Sequence, residues 1–360
     1  MVISKIITSN LNRQELNRTL PFIRYFCNMI LVTGGTGLVG SHLLHLLLKN
    51  GEKVKATYRS TTSLEKTKNV FASYSAIELF DQINWVQADV ADYFSLKDIF
   101  DDISHVYHCA AVVSFDRRKS DQMYEINVEG TKNMVNLSLE FSIDKFCFVS
   151  SVASLGSYAD GRCTDEEAIW THSDETSYYS ITKYYAENEV WRAAEEGLNT
   201  VIVNPATIIG FGNWEETSTA IIKRVSDGLN YYTPGSNAFI GVNDVAKAMH
   251  QLMNSSISDQ RFILAANNWS FQKLFTHIAK GLGKKTPQKA APRWLANLLR
   301  RLDEVRYFIF GSKTVLTKQS VNTAYKKKCF SAEKIIKELQ FEFESMDLVI
   351  EKVTGQFKSA

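Results

Sequence analysis

Across 360 residues the chain lacks any run near the roughly 18 uninterrupted apolar residues of a membrane-spanning helix. It has no CxxC pair or other metal-ligand spacing, and no Gly/Ser linker, repeat or low-complexity tract. These absences leave no candidate for an integral membrane span, no metal framework, and no string of flexibly joined modules. Net charge is nearly absent too: 41 Lys and Arg stand against 39 Asp and Glu, a formal +2, too weak a field to imply a nucleic-acid partner. The five cysteines (Cys27, Cys109, Cys147, Cys163, Cys329) are an odd set, and Cys109 and Cys147 sit in the apolar runs "HVYHCAAVV" and "KFCFVSS". They read as small core residues in a reducing compartment, not as a disulfide framework, so a cytoplasmic setting is expected.

What is present begins with 45% hydrophobic residues, enough for a sizeable core. Charge is unevenly spread. Residues 273–334 hold 15 Lys or Arg and three acids (Asp303, Glu304, Glu333), a local +12 that leaves −10 for the remainder. A solvated basic face is the plainer reading, and an anionic substrate or membrane surface the sharper one. Within it "PRWLANLLRRLDEVRYFIFG" is a basic amphipathic helix candidate, expected to pack onto the later part of the fold, with peripheral membrane contact as the alternative. Residues 1–28 carry three arginines, one acid and no continuous apolar stretch. They do not suit a secretory signal, though few acids would suit a mitochondrial presequence; an extension outside the core is expected, because Met29 directly precedes the first core strand.

From Met29, short β-branched runs alternate with longer amphipathic segments. Strands are expected at Ile30–Thr33, Lys53–Tyr58, Ile83–Ala88, His105–Cys109, Lys145–Ser150 and Thr200–Asn204, with helices at Leu38–Asn50, Ser95–Phe100, Gln122–Phe141 and Thr176–Glu196. Such alternation implies βαβ units and a parallel sheet covered on both faces, an α/β doubly wound fold. After Pro205 the rhythm breaks. Residues 29–210 are read as a dinucleotide-binding domain and 211–360 as a smaller α/β substrate subdomain, with about 238–265 returning to the core.

The stretch "ILVTGGTGLVG" lies between a strand and a helix, where glycines let backbone N–H groups approach a pyrophosphate that the helix N-terminus stabilises. It parses as GxGxxG through Gly35, Gly37 and Gly40, or as TGxxGxxG through Gly34, Gly37 and Gly40. In NAD sites an acid closes the second strand; here "KVKATYRS" closes with Arg59 and no acid, which suits a 2′-phosphate. NADP(H) is therefore favoured, with NAD(H) as the alternative. Asp89 in "WVQADVAD" could accept from an adenine amino group or simply close a turn.

Tyr179 and Lys183 are four apart, on one helix face, where an ammonium could stabilise a phenolate. YxxxK alone is weak: Tyr93 and Lys97 share the spacing but have no serine-bearing strand upstream. Tyr179 follows "FCFVSSVASLG", whose Ser150 and Ser151 close a strand and could bond a substrate oxygen.

Together these residues resemble the extended short-chain dehydrogenase/reductase superfamily, the NAD-dependent epimerase/dehydratase group with its Rossmann core, from Met29 to about Phe357. The matched motifs are TGxxGxxG from Thr33 to Gly40, which favours the second parse, then Asp89–Val90, "HCAA" at His108–Ala111, "NVEGT" with Asn127, YxxxK, "NPATIIG", "FIGVNDVAKA" and "FSAEKIIKELQFEF". The resemblance implies catalytic Ser151, Tyr179 and Lys183, with Asn127 holding a water or a helix turn in a proton relay. It implies a cofactor held by Gly34, Thr36, Gly37, Leu38, Val39, Arg59, Asp89, Val90, Ala110, Ala111, Tyr179, Lys183, Pro205 and Thr207. "ATYRS" is similar to the dihydroflavonol reductase and aldehyde reductase branch, so NADP(H)-dependent interconversion of a carbonyl and its secondary alcohol is expected. Two departures, Asn204 and Ala206 in "NPA", weaken any sugar-nucleotide contact from that loop. The alternatives are an NAD-dependent nucleotide-sugar epimerase or dehydratase and a non-catalytic NAD(P)-sensing protein.

A small-molecule substrate is the expected partner, with no nucleic acid; a homodimer is compatible with the sequence. Substrate-side candidates are Ser114, Phe115, Gly156, Tyr158, Trp214, Tyr231 and Tyr232, although aromatic residues in this number more often build a core.

Overall fold

The computed structural model describes residues 29–359 except 115, 174–175, 216–217 and 311–316, and of Arg117 and residues 304–310 the backbone alone. The extension expected at 1–28 and the candidate Phe115 lie outside the described residues.

Seven parallel strands form the main sheet in the order β10-β6-β5-β4-β1-β2-β3. They are β1 (Met29–Thr33), β2 (Lys53–Tyr58), β3 (Asn84–Gln87), β4 (Ile103–His108), β5 (Lys145–Val149), β6 (Thr200–Pro205) and β10 (Gln260–Leu264). Central strands of such a sheet are covered on both faces and need unbroken apolar runs. Accordingly β5 and β6 are buried at every position. The covering helices include α1 (Leu38–Lys49), α2 (Leu64–Ser73), α3 (Gly130–Glu140), α4 (Tyr178–Glu195) and α5 (Val242–Met253). One core layer gathers Leu43, Leu44, Leu47, Val245 and Met249; the other gathers Met134, Leu137, Ala186 and Val190. Chain order reverses between β1 and β4, and ligands of doubly wound sheets bind at the carboxyl ends of the strands beside such a reversal.

Beyond the main sheet, β7 (Thr207–Ile209), β9 (Ser236–Gly241) and β11 (Asn267–Ser270) form a three-stranded sheet, and β8 (Tyr231–Tyr232) pairs with β12 (Lys289–Ala290). Here α6 (Phe271–Gly281) and α9 (Met346–Ser359) bury Ile278, Val349 and Val353 against Phe239. Asp244 at the head of α5 accepts the Glu344 N–H at 2.9 Å, tying the closing segment to the main body. α7 (Arg293–Phe310) runs beside α8 (Lys318–Tyr325), where Arg293 donates to Asn322 at 2.9 Å.

Local departures from the sequence reading have physical causes. The helix expected at Ser95–Phe100 runs Tyr93–Lys97, because the Asp92 carboxylate caps it by accepting from the N–H groups of Phe94 and Ser95. The helix expected at Gln122–Phe141 is interrupted by a π turn at Glu125–Glu129. α2 was not expected from the sequence; it buries Thr67, Val70 and Phe71 on one side.

The expectation of no disulfide is overturned. Cys163 and Cys329 are joined, with Cα atoms 4.6 Å apart and a sequence separation of 166. Two backbone bonds bring them together: Thr164 N–H to Cys329 O at 2.9 Å and Ser331 N–H to Thr164 O at 2.8 Å. Cys109 and Cys147 are free, as expected of core residues. Among the described residues no helix is long and apolar enough to cross a membrane, and no group of three or more His, Cys, Asp or Glu is placed to hold a metal ion.

Candidate active site

The glycine loop sits at the β1/β4 reversal. Gly34 has φ +68°, a left-handed conformation, and a Cβ there would stand 2.6 Å from the Ala110 backbone nitrogen. A Cβ at Gly40 would stand 2.2 Å from the Gly34 carbonyl oxygen. Gly37 precedes α1 as its N-cap, with no capping side chain and no acid in the first turn, so the first N–H groups of α1 remain available to an anion. Thr36 and Val39 are half-buried beside it, and Leu38 lies against the backbone of Gly212. Ala110 and Ala111 line the other side, directly after β4.

That crevice is braced from beneath. His108 is fully buried, its ring nitrogens 2.6 Å from Thr33 Oγ1 and 3.0 Å from Thr131 Oγ1. Burial, with help from the Lys183 charge, pushes its pKa down to about 3, so the ring is neutral and links β1, β4 and α3. At the end of β2, Arg59 is exposed and its side chain has no partner among the described residues, while its carbonyl accepts from Gln87 at 3.0 Å. Asp89 Oδ1 accepts the Ala91 N–H at 3.0 Å, closing a turn, and Val90 packs against Gly130. Pro205 closes β6, and Thr207 Oγ1 accepts from Asn237 at 2.9 Å.

α4 carries the YxxxK pair and is capped by Ser177, whose hydroxyl accepts the Ser180 N–H at 3.1 Å. The Tyr179 ring is half-buried and its hydroxyl lies close enough to the Ser151 side chain to feel it. Burial raises the phenol to about 12, and Ser151 only partly opposes this. The expected lowering by Lys183 is not among the influences on Tyr179. The Lys183 ammonium instead donates to the Val149 carbonyl at 2.7 Å and lies 4.7 Å from the centre of the Phe148 ring. Burial lowers Lys183 to about 8.

The two serines divide. Ser151 faces Tyr179 and accepts the Ala153 N–H at 3.1 Å; Ser150 turns inward. Asn127, in the π turn, accepts the Val112 N–H at 2.7 Å, donates to the Val112 carbonyl at 2.9 Å and reaches Thr182 of α4 at 3.1 Å. It thereby locks the segment after β4 to α4.

One residue was missed in the sequence. Glu187, one turn beyond Lys183, is 2% exposed, and its carboxylate accepts from Ser150 (2.6 Å), Ser154 (2.7 Å), Asn204 (2.9 Å) and Arg261 (3.1 Å). Its spacing after YxxxK was a visible signal; its partners, on β5, β6 and β10, were not. Asn204, one of the departures noted above, is fully buried in this network.

On the substrate side, Ser114, Asp116, Met123, Ser177, Tyr178 and Gln319 line a cavity of about 270 Å³ beside the start of α4. Of the other candidates, Tyr158 bonds Asp165 and stacks under Arg162, and Gly156 bonds Ala168 at 3.3 Å. Trp214 packs between Phe211 and Phe357, while Tyr231 and Tyr232 lie in the β8–β12 ribbon. None of these lines that cavity.

Comparison with known proteins bears on this geometry. The profile of the "NAD dependent epimerase/dehydratase family" matches residues 30–265. A Synechocystis protein described as "Putative dihydroflavonol 4-reductase" is 28% identical over 86% of this chain and 88% of its own. Cinnamoyl-CoA reductase 1 of Petunia hybrida is 28% identical over 66% of this chain and 72% of its own. Among solved structures, gox2253 superposes with TM-score 0.75 at 24% identity over 92% of this chain and 98% of that one. UDP-glucose 4-epimerase of Thermotoga maritima gives 0.72 at 19% identity over 92% and 99%. At these identities the solved structures speak to the fold.

Proposed function

The chain belongs to the NAD-dependent epimerase/dehydratase family, an enzyme of the NAD(P)-dependent short-chain dehydrogenase/reductase type, and from that premise we propose that it reduces an aldehyde or ketone with NADP(H). The observation that carries this reading is that one helix, α4, brings Tyr179 beside Ser151 at the carboxyl end of β5 and seats the buried Lys183 one turn further along. A phenol placed beside that serine can give its proton to a substrate oxygen that gains charge as hydride arrives, which is the reductive direction.

The loop fits a dinucleotide. Gly34 and Gly40 leave no room for a Cβ, the α1 N-terminus has uncapped N–H groups, and Arg59 stands unpaired where a 2′-phosphate would lie. NADP(H), when bound, supplies or takes the hydride. Gly34, Thr36, Gly37, Leu38 and Val39 would hold its pyrophosphate and Arg59 its 2′-phosphate, with Asp89 and Val90 towards the adenine and Ala110, Ala111, Pro205 and Thr207 towards the remainder. Ser151 fixes the substrate oxygen, Tyr179 gives it a proton, and Lys183 orients the ribose from its seat on Val149 O. Asn127 is a positioning residue that holds the turn beside them. The 270 Å³ cavity takes the substrate, with Ser114 on its wall. The unpaired, exposed Arg59 and the absence of an acid there favour this over an NAD-dependent sugar-nucleotide epimerase, and the buried Asn204 adds no sugar-nucleotide contact.

The test is titration with NADPH and NADH, followed by a panel of aldehydes and ketones. A charge-assisted contact to Arg59 should make NADPH bind roughly ten- to a hundredfold tighter, and Arg59→Asp should erase that margin. Equal binding of both cofactors, unchanged by Arg59→Asp, overturns the cofactor reading; no turnover of any carbonyl with either cofactor overturns the reductase.

A further inference from the structure

An ordinary surface helix turns its apolar stripe inward. α7 does the reverse over its first three turns. At 100° per residue, Ala296, Arg300 and Asp303 fall on one side and are half-buried, and Leu295, half-buried as well, borders Leu302 on the other. Trp294, Leu298 and Leu302 fall on the opposite side, and they are 66%, 46% and 57% exposed. The packing onto the later part of the fold that the sequence suggested does not cover this stripe. Burying it would remove one Trp and two Leu side chains from water, so a partner for it is favoured.

The charge around the stripe selects the partner. Between residues 283 and 302 there are six Lys or Arg and no acid. Arg293 and Arg301 are exposed on α7 itself, and Lys284, Lys285 and Lys289 are exposed in the segment that leads into it. We propose that this face of α7 docks the protein on an anionic lipid surface, with Trp294, Leu298 and Leu302 entering the headgroup boundary and the flanking cations facing the phosphates.

Two physical arguments favour lipid over a second copy of the chain. Pairing two such faces would set five exposed cations of one copy against five of the other. The +12 of residues 273–334 stands against −10 in the rest of the sequence, so the segment that carries this face is the part an anionic plane attracts. The orientation is functionally placed, because α8, alongside α7, carries Gln319 into the cavity beside Tyr178.

The test is sedimentation of the full chain with vesicles of phosphatidylcholine alone and of phosphatidylcholine with about 30% phosphatidylglycerol, at low salt and at roughly 0.5 M NaCl. Binding should be at least about tenfold stronger on the anionic vesicles and should fall with salt. The double substitution Leu298→Glu, Leu302→Glu should reduce it by at least about tenfold, with circular dichroism and melting unchanged. Should that variant not fold, Lys285→Glu with Arg301→Glu tests the same face through charge alone and should weaken binding comparably. Absence of binding to anionic vesicles, equal binding to neutral ones, or binding indifferent to a folded variant overturns the proposal. So does a concentration-dependent dimer, seen by sedimentation velocity, that these substitutions break.

Discussion

The Nζ of Lys183 donates to the Val149 carbonyl oxygen, 2.7 Å away at the carboxyl end of β5, so α4 is anchored to the strand that leads to Ser151. The ammonium is buried there, and its pKa falls from 10.5 to about 8. As pH rises through that value the folded protein loses the charge. Carbonyl reduction, measured as kcat/KM, is therefore expected to decline above about pH 8, and Lys183→Arg to move the decline upward because a guanidinium stays protonated. Stability follows the opposite sign. Between about pH 8 and 10.5 the unfolded chain binds a proton that the folded one does not, so this group's contribution to stability rises with pH across that window. A kcat/KM profile flat to pH 10 would remove Lys183 from the reaction.

Tyr179→Phe removes the proton donor while leaving the ring in its half-buried seat. A fall in kcat of about 10²- to 10⁴-fold is expected, with the NADPH dissociation constant changed only a few-fold. Stopped-flow turnover with parallel fluorescence titration separates the two. A kcat equal to that of the parent chain would assign the proton transfer elsewhere.

The legible parts of this protein were those written in local spacing. The βαβ rhythm placed six strands within two residues of their observed ends, and the glycine loop and Tyr179–Lys183 were visible as motifs. Contacts made at long range were hidden. Glu187 gathers donors from β5, β6 and β10, and no window around it shows Ser150, Asn204 or Arg261. The Tyr179 phenol illustrates a different limit. Spacing shows that an ammonium stands one turn away, but not that burial governs the phenol or that the ammonium is turned to the Val149 carbonyl. The outward stripe of α7 is the third case, since periodicity defines a face without saying which way it points.

Glu187 is expected to hold the floor of the site together. Replacing it with Leu leaves Arg261 without its buried carboxylate and strands the donors of Ser150, Ser154 and Asn204. Breaking a buried pair in this way costs about 3–5 kcal/mol. Urea unfolding should register that loss as a lower midpoint at unchanged slope. Glu187→Gln, which keeps shape and one acceptor oxygen, should lose less. Equal stability of Glu187→Leu and the parent would mean the network carries no net stabilisation.

The Cys163–Cys329 bridge joins the segment between Ser151 and Tyr179 to the segment just before the closing helices, and closes a loop across a sequence separation of 166. Closing a loop of that length restricts the unfolded chain, and native bridges of this kind stabilise by about 2–5 kcal/mol. Dithiothreitol should therefore lower the melting temperature by roughly 3–7 °C for a chain of this size. The double variant Cys163→Ser, Cys329→Ser should melt where the reduced parent does and be indifferent to the reductant, because Cys109 and Cys147 are unpaired and do not contribute a bridge. The backbone bonds of Thr164 to Cys329 and Ser331 remain in either state, so the two segments should stay together and the loss should appear in stability before it appears in the fold. Peptide mapping without reductant identifies the cross-link directly. A melting temperature unaffected by dithiothreitol, in a protein whose map shows the cross-link formed, would place the bridge's restriction in a part of the chain that does not limit unfolding.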